Sequence, residues 1–293
     1  MASTAFAGGP EAEAVAMPGS DGVSWLGRGK LVLGMIHLPP LPGTPFYDGG
    51  GVEPIVERAV VSARALVEGG ADGCLIQTVD RVYAAGTDSD PARIAAMALI
   101  TRAVVETAGP GFQVGAQLMR NAVQASLAVT QVAGGHFTRV GALVGATMTA
   151  GGLVQGDPLA VADYRNKIGA QGIALIAEVA SMHFSWFGGG KTVAEVAATA
   201  RQAGADAVSL CHRDDDITMG MIAAVRAACP RLPVVLAGHT HHDNAARLLG
   251  SADGADAAFV GTCLESGGWG GMIDKDKVAS YVDIVRSAQR YVG

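Results

Sequence analysis

Eight short apolar or β-branched runs recur along this chain, each followed by a helix-like pattern, and that alternation constrains the fold more than any other feature. The runs lie at Leu31–Ile36, Gly73–Gln77, Gln113–Leu118, His136–Val140, Ile173–Glu178, Ala207–Cys211, Val234–Ala237 and Ala257–Val260. Strand and helix in turn argue for parallel βα units, because a sandwich would show strands in succession and a bundle none. Ile55, Val56, Ala59, Val60, Ala63, Leu66 and Val67 keep the three-and-four spacing of one buried helix face, and Ile94, Met97, Ile100, Val104 and Val105 repeat it. Near the helix ends come Gly69 and Gly70 before Ala71 and Asp72, Gly134 with Gly135, Gly169 with Gly172, Gly204 before Ala205 and Asp206, and Gly254 before Ala255 and Asp256. Glycine there supplies a left-handed stop that turns the chain into the next strand. No G-x-G-x-x-G follows the first strand, which sets aside a dinucleotide-binding open sheet. The expected fold is an α/β, (β/α)8 TIM barrel, a single domain over 29–293, preceded by a flexible N-terminal extension over 1–28.

Composition narrows the partners. With 49% hydrophobic and 16% charged residues in 293, the chain can bury one large core. Its apolar runs fall well short of the ~20 residues of a membrane helix, so no membrane insertion is expected. A formal net charge of −6 without basic runs excludes the footprint of a nucleic-acid binder. Cys74, Cys211, Cys229 and Cys263 sit inside apolar stretches and read as buried thiols. The first 28 residues lack the basic and apolar regions of a signal peptide, so a cytoplasmic protein is expected. A small-molecule substrate is the expected partner, and a homo-oligomer is compatible with the sequence.

In a barrel the C-terminal ends of the strands face the site. Those ends supply His37; Gln77 and Asp80; Gln117, Arg120 and Asn121; Arg139; Glu178 and His183; Cys211, His212 and Arg213; His239, His241 and His242; and Gly261 with Thr262. Of seven histidines, only His136 falls at the start of a strand, on the opposite face. Histidine titrates near neutrality and ligates metals, so the clustering points to acid–base or metal chemistry. The expected catalytic groups are His37, Glu178, His239 and His241. Arg120 and Arg139 read as an anion clamp, with Gln77, Asp80, Gln117, Asn121, His183, His212, Gly261 and Thr262 completing a substrate site.

No cofactor is implied with certainty; a divalent metal is the alternative. His239 and His241 are two apart, so in extended backbone they point to one side and could chelate one ion, with Glu178 and His212 as further ligands. This H-x-H resembles the metal motif of aldolase-like lyases that include hydroxymethylglutaryl-CoA lyase, although the Arg-Asp pair those enzymes carry after the first strand is absent. The competing reading is that His242, Asp243 and Asn244 cap the next helix. Residues 188–192, GGGKT, superficially resemble a P-loop but lack its leading glycine, and read as a hinge and helix start. Asp214, Asp215 and Asp216 read as a solvated helix N-terminus.

Residues 34–45, GMIHLPPLPGTP, end the first strand in a rigid rim, because Pro39, Pro40, Pro42 and Pro45 permit neither helix nor ladder. This segment resembles the N-terminal signature of the BtpA/SgcQ family, named after a protein implicated in photosystem I biogenesis. The likeness runs from about Leu31 to Val282 and includes residues 68–73, Asp80, residues 119–121, residues 137–140, Gly151 with Gly152, Tyr164 with Arg165, residues 177–179 with His183, residues 260–262, and Asp274. Several positions depart from the family pattern: Ala122 replaces an aspartate, Met182 and Glu265 replace lysines, Cys211 with His212 replaces a Thr-Gly pair, and residues 239–242 replace a Ser-Gly-Val-Thr-like phosphate loop. The resemblance implies a divergent barrel enzyme acting on a sugar-, nucleoside- or carboxylate-like metabolite by lyase or proton-transfer chemistry. It also implies the alternative of a non-catalytic assembly or stability factor of the photosystem type; a ligand-binding sensor is a third class.

Overall fold

A computed structural model describes residues 23–27 and 29–290. Eight parallel strands form β1 (Leu31–Leu38), β2 (Gly73–Thr78), β3 (Gln113–Gln117), β4 (Phe137–Val140), β7 (Ala174–Ala180), β8 (Ala207–Leu210), β9 (Val234–Leu236) and β10 (Ala257–Val260). They close into a barrel in the spatial order β1-β10-β9-β8-β7-β4-β3-β2. Every strand expected from sequence forms, so the single-domain TIM barrel is the fold.

Outside the barrel run α1 (Glu53–Glu68), α2 (Pro91–Ala108), α3 (Val123–Ala133), α4 (Pro158–Lys167), α5 (Val193–Gln202), α6 (Asp215–Ala228) and α7 (Lys275–Arg290). Their starts follow local chemistry. Asp90 accepts from Ala92 N–H ahead of α2, and Thr192 with Glu195 forms a reciprocal capping box at α5. The GGGKT stretch is thus a turn and helix start, and Asp214 caps α6 through the amides of Asp216 and Ile217. After β9 only a wide turn, Ala246–Gly250, stands where the other units carry a full helix.

Two antiparallel hairpins interrupt the βα pattern, both on the C-terminal side of the barrel: β5 (Ala146–Thr149) with β6 (Gly152–Gln155), and β11 (Glu265–Ser266) with β12 (Met272–Ile273). The first is fastened to the loop after β7, where Phe187 N–H donates to Ala146 O and Ser185 N–H to Thr147 Oγ1.

The interior is layered by register. Leu33, Met35, Leu75, Phe137, Ile176, Val235 and Phe259 belong to one buried cluster filling the barrel. Leu26 joins this cluster, and Trp25 stands 5.4 Å from Phe137, ring to ring. The extension expected to be flexible therefore ends in a plug at Val23–Gly27; residues 1–22 lie outside the described residues.

The N-terminal face is closed by a repeated device. Asp72, Asp206 and Asp256, from the Gly-Ala-Asp phrases, accept the backbone N–H of Val32, Leu175 and Val234, each at 2.8 Å. Each phrase thus ties the start of one strand to its neighbour. Arg286, Arg165 and Arg226 pair with the same three carboxylates. Before β4 the place is taken by His136, whose Nδ1 accepts from Val114 N–H at 3.1 Å.

Candidate active site

Above the apolar layers the inward positions turn polar. His37 pairs in register with Gln77, and Gln77 with Gln117. Gly115 pairs with Phe137, which sets Arg139 two residues on beside Gln117. Glu178 then faces Ser209 on β8. Five neighbouring strands therefore carry a continuous arc from His37 to Glu178 at the C-terminal rim.

The arc is wired into pairs. Gln77 Nε2 donates to Gln117 Oε1 at 2.7 Å. Arg139 Nη2 donates to Glu178 Oε1 at 2.8 Å, with 5% and 1% of the two side chains exposed. The Arg139 guanidinium also lies 5.5 Å over the Phe259 ring, and its Nε has no hydrogen-bond partner. Ser181 donates its hydroxyl to the same Glu178 oxygen. Glu178, expected as a base, is therefore engaged on one oxygen by both arginine and serine.

His37 has a partner that spacing could not reveal. Its Nδ1 lies 2.9 Å from Oε1 of Glu265, 228 residues away, with 12% and 1% of the side chains exposed. The second Glu265 oxygen accepts from Gly270 N–H. Trp269, on the same hairpin, stands 5.9 Å from the imidazole between ring centres. Gly261 lets the backbone pass close to the imidazole, where a Cβ would meet His37 Cε1 at a tight 3.1 Å. A carboxylate on Nδ1 fixes the tautomer and leaves Nε2 for proton transfer.

Other expected site residues divide. Arg120 stacks 5.4 Å from the Tyr83 ring, and burial lowers its pKa against the opposing pull of Glu178. His183 stands at the open rim, where desolvation lowers its pKa; Glu178 opposes and Arg120, Arg139 and His239 reinforce that shift. Asp80 is neutralised by Arg93 from α2 at 2.7 Å. Asn121 is buried and engaged by the backbone, its amide donating one N–H to Ala142 O and accepting from Ala142 N–H, both at 2.9 Å. Thr262 is exposed and opens a tight turn at Thr262–Leu264.

The histidines after β9 do not form the expected chelate. His239 adopts a left-handed backbone, φ 54°, which breaks the extended geometry that would point it the same way as His241. His241 is 51% exposed beside Asp243, and His242 Nε2 lies 2.9 Å from the Lys277 carbonyl. Asn244 ties the loop instead of capping a helix, accepting from His241 N–H and donating to Asp215 and to His239 O. Among the described residues no group of three or more His, Cys, Asp or Glu is placed to hold a metal ion, so the expected set of His239, His241, Glu178 and His212 is not assembled.

A cavity of about 660 Å³ opens beside this arc, between the loops after β7 and β8 and His239. Ser181 and Cys211 line it next to the Arg139–Glu178 pair, and burial raises the Cys211 thiol pKa, which suits packing rather than nucleophilic use. A smaller cavity of about 280 Å³ is bounded by His37, Pro39, Pro40, Arg58 and Trp269. Sequence reasoning missed Glu265 as a histidine partner, Ser181, Tyr83 and Arg93; only Glu265 carried a signal, as an acid where the family resemblance expects lysine.

Among the described residues no helix is long and apolar enough to cross a membrane. Two solved barrels overlay on this one: a tryptophan synthase of Mycobacterium tuberculosis, with TM-score 0.56 and 16% identity over 88% of this chain and 93% of that one, and a structure described as native KDPGal, with TM-score 0.54 and 16% identity over 88% and 96%. At such identity the likeness speaks to the fold alone. An uncharacterized protein of Archaeoglobus fulgidus is 27% identical over 263 residues, 89% of this chain and 99% of its own. The photosystem I biogenesis protein BtpA of Synechocystis is 27% identical over 255 residues, 86% of each. Residues 28–287, nearly the whole barrel, match the BtpA family model, and the chain belongs to the BtpA family.

Proposed function

We propose that this protein is an enzyme that moves a proton on a small anionic metabolite at the C-terminal rim of its barrel, in lyase or isomerase chemistry. The observation that carries the reading is the part-buried His37–Glu265 pair facing the same barrel mouth as Arg139 and Arg120. A carboxylate-oriented imidazole is an efficient general acid or base, worth about 10²–10⁴ in rate. Glu265 acts as the positioning residue and Nε2 of His37 as the group that takes and returns the proton. Arg139, held by Glu178 and with Nε unpartnered, and Arg120 bind a carboxylate or phosphate oxygen.

The lyase alternatives fare less well. None of the five lysines, Lys30, Lys167, Lys191, Lys275 and Lys277, lies on a barrel strand, so no strand lysine is available for an imine. The H-x-H metal reading lacks its assembled ligand set. The Synechocystis relative's name describes photosystem I biogenesis, and a purely scaffolding role would leave the convergent rim polar groups without a purpose.

The test is an exchange experiment. Wild-type and His37→Asn proteins are incubated in D2O with a deproteinised metabolite extract and followed by mass spectrometry. Wild type is expected to deplete, or exchange deuterium into, at least one anionic metabolite, with the variant slower by about 10²-fold or more. Equal behaviour of the two proteins rejects the role of His37.

A further inference from the structure

The cavity between the β7 and β8 loops has an electrostatic character unlike the rest of the chain. Lys191, His212, Arg213 and His239 all line it, and no aspartate or glutamate does, in a protein of net charge −6. Of the neighbouring carboxylates, Glu178 is bound by Arg139 and Ser181, and Asp214 accepts the amides of Asp216 and Ile217. Among the described residues Lys191 and Arg213 make no ion pair within 4.0 Å, and Lys191 has only a longer-range attraction to Glu195. The Nε2 of His239 is buried without a hydrogen-bond partner. His212 accepts Asp214 N–H on Nδ1, so its neutral ring presents an Nε2–H donor. Burial, with the field of Arg213 and His212, lowers the His239 pKa, as expected where positive charge is uncompensated.

The lining also includes the apolar side chains of Phe184, Trp186, Val193 and Met221. Trp186 is held in place by the chain at Gly145, where a Cβ would sit 2.4 Å from its ring. The volume of about 660 Å³ suits a ligand of ordinary metabolite size. The two side-chain cations in the lining, Lys191 and Arg213, match the roughly two negative charges of a phosphate monoester better than the single charge of a carboxylate.

We infer that this cavity binds an organic phosphate monoester, its phosphate on Lys191, Arg213, His212 and His239 and a flat apolar group against Trp186. The ligand is then of nucleotide size and enters from the β7 and β8 side, next to Arg139. This deepens the proposed reading of the rim as a small-molecule site and rests on it.

Calorimetric titration of the full chain with adenosine monophosphate, adenosine and inorganic phosphate tests the assignment. Adenosine monophosphate is expected to bind saturably and at least about tenfold more tightly than either fragment. The Lys191→Met, Arg213→Met double variant, altered at exposed positions, is expected to lose about tenfold or more in that affinity while melting like wild type. Binding that is absent, no tighter than adenosine, or unchanged in the double variant overturns the proposal. His37→Asn is expected to retain nucleotide binding, so a failed exchange experiment with intact binding would reject the acid–base role and leave this site standing.

Discussion

The two ends of the barrel are built on opposite rules. On the N-terminal face the titratable groups do local, repeated work, since Asp72, Asp206 and Asp256 each hold a strand amide and an arginine. His136 holds Val114 in the same way, and Trp25 with Leu26 closes the floor. On the C-terminal rim nothing repeats. Arg139 Nε, His239 Nε2 and Asp80 Oδ1 are buried without partners, and His37 finds Glu265 from the far end of the chain. Unmet hydrogen-bonding capacity costs stability, and the opposite end carries some too, at Trp25 Nε1 in the floor and Gln113 Oε1 at the start of β3. One end repeats a single tie between neighbouring strands, and the other gathers unlike polar groups at one mouth.

Substitutions can break this contrast, and the largest effect is expected at Arg139. Arg139→Met leaves Glu178 buried and unpaired, which costs about 3–5 kcal/mol of stability by denaturant titration. The paired variant Arg139→Met, Glu178→Gln should recover much of that loss while still lacking the anion contact of Arg139. At the other end Asp206→Ala strips an acceptor from Leu175 N–H and a partner from Arg165, at a cost of about 1–3 kcal/mol. Rim geometry is expected to be unchanged, so activity per folded molecule should match wild type.

Acid acts alike on buried histidines at the two ends. Burial lowers the pKa of His136, as it does for His183 and His239, below the ordinary histidine value. Above that value both folded and unfolded chains carry neutral imidazoles and no stability is at stake. As pH falls below about 6.5 the unfolded chain takes the proton first, and stability is lost until the folded-state pKa is passed. His136→Gln is therefore expected to differ from wild type by a constant amount at alkaline pH and to gain relative to it below about 6.5, read from melting temperature against pH. The smallest effect is expected at His241, whose exposed ring faces only Asp243; His241→Ala should change stability by less than about 0.5 kcal/mol and leave activity intact.

How far the sequence carried these conclusions follows the same division. The strands were legible because an apolar run, a helical period and a Gly-Ala-Asp phrase agree along the chain. Gly134 does stop α3 in the left-handed conformation, φ 78°, as expected. Gly254 serves otherwise: a Cβ there would meet the Leu248 carbonyl at 2.6 Å, so close approach rather than backbone freedom demands it. The hairpins stayed hidden because Ala146–Thr149 and Gly152–Gln155 are four-residue strands inside what reads as a loop. Rim residue types were legible, but their pairings were not. Asn121 looks like a substrate donor until the Ala142 backbone engages its amide, and the H-x-H spacing reads as a chelate until His239 leaves extended geometry. Pairing across 228 residues, as for His37 and Glu265, is a property of barrel closure that no local pattern records.

If chemistry belongs to the rim and stability to the opposite face, His37→Asn and Asp206→Asn must fail in different ways. Both variants are run in the same D2O exchange assay, with melting temperatures recorded on each. Exchange is expected to fall by about 10²-fold or more in His37→Asn and to be retained in Asp206→Asn, which melts lower than wild type. Full exchange by His37→Asn, or its loss in a folded Asp206→Asn protein, would contradict that division.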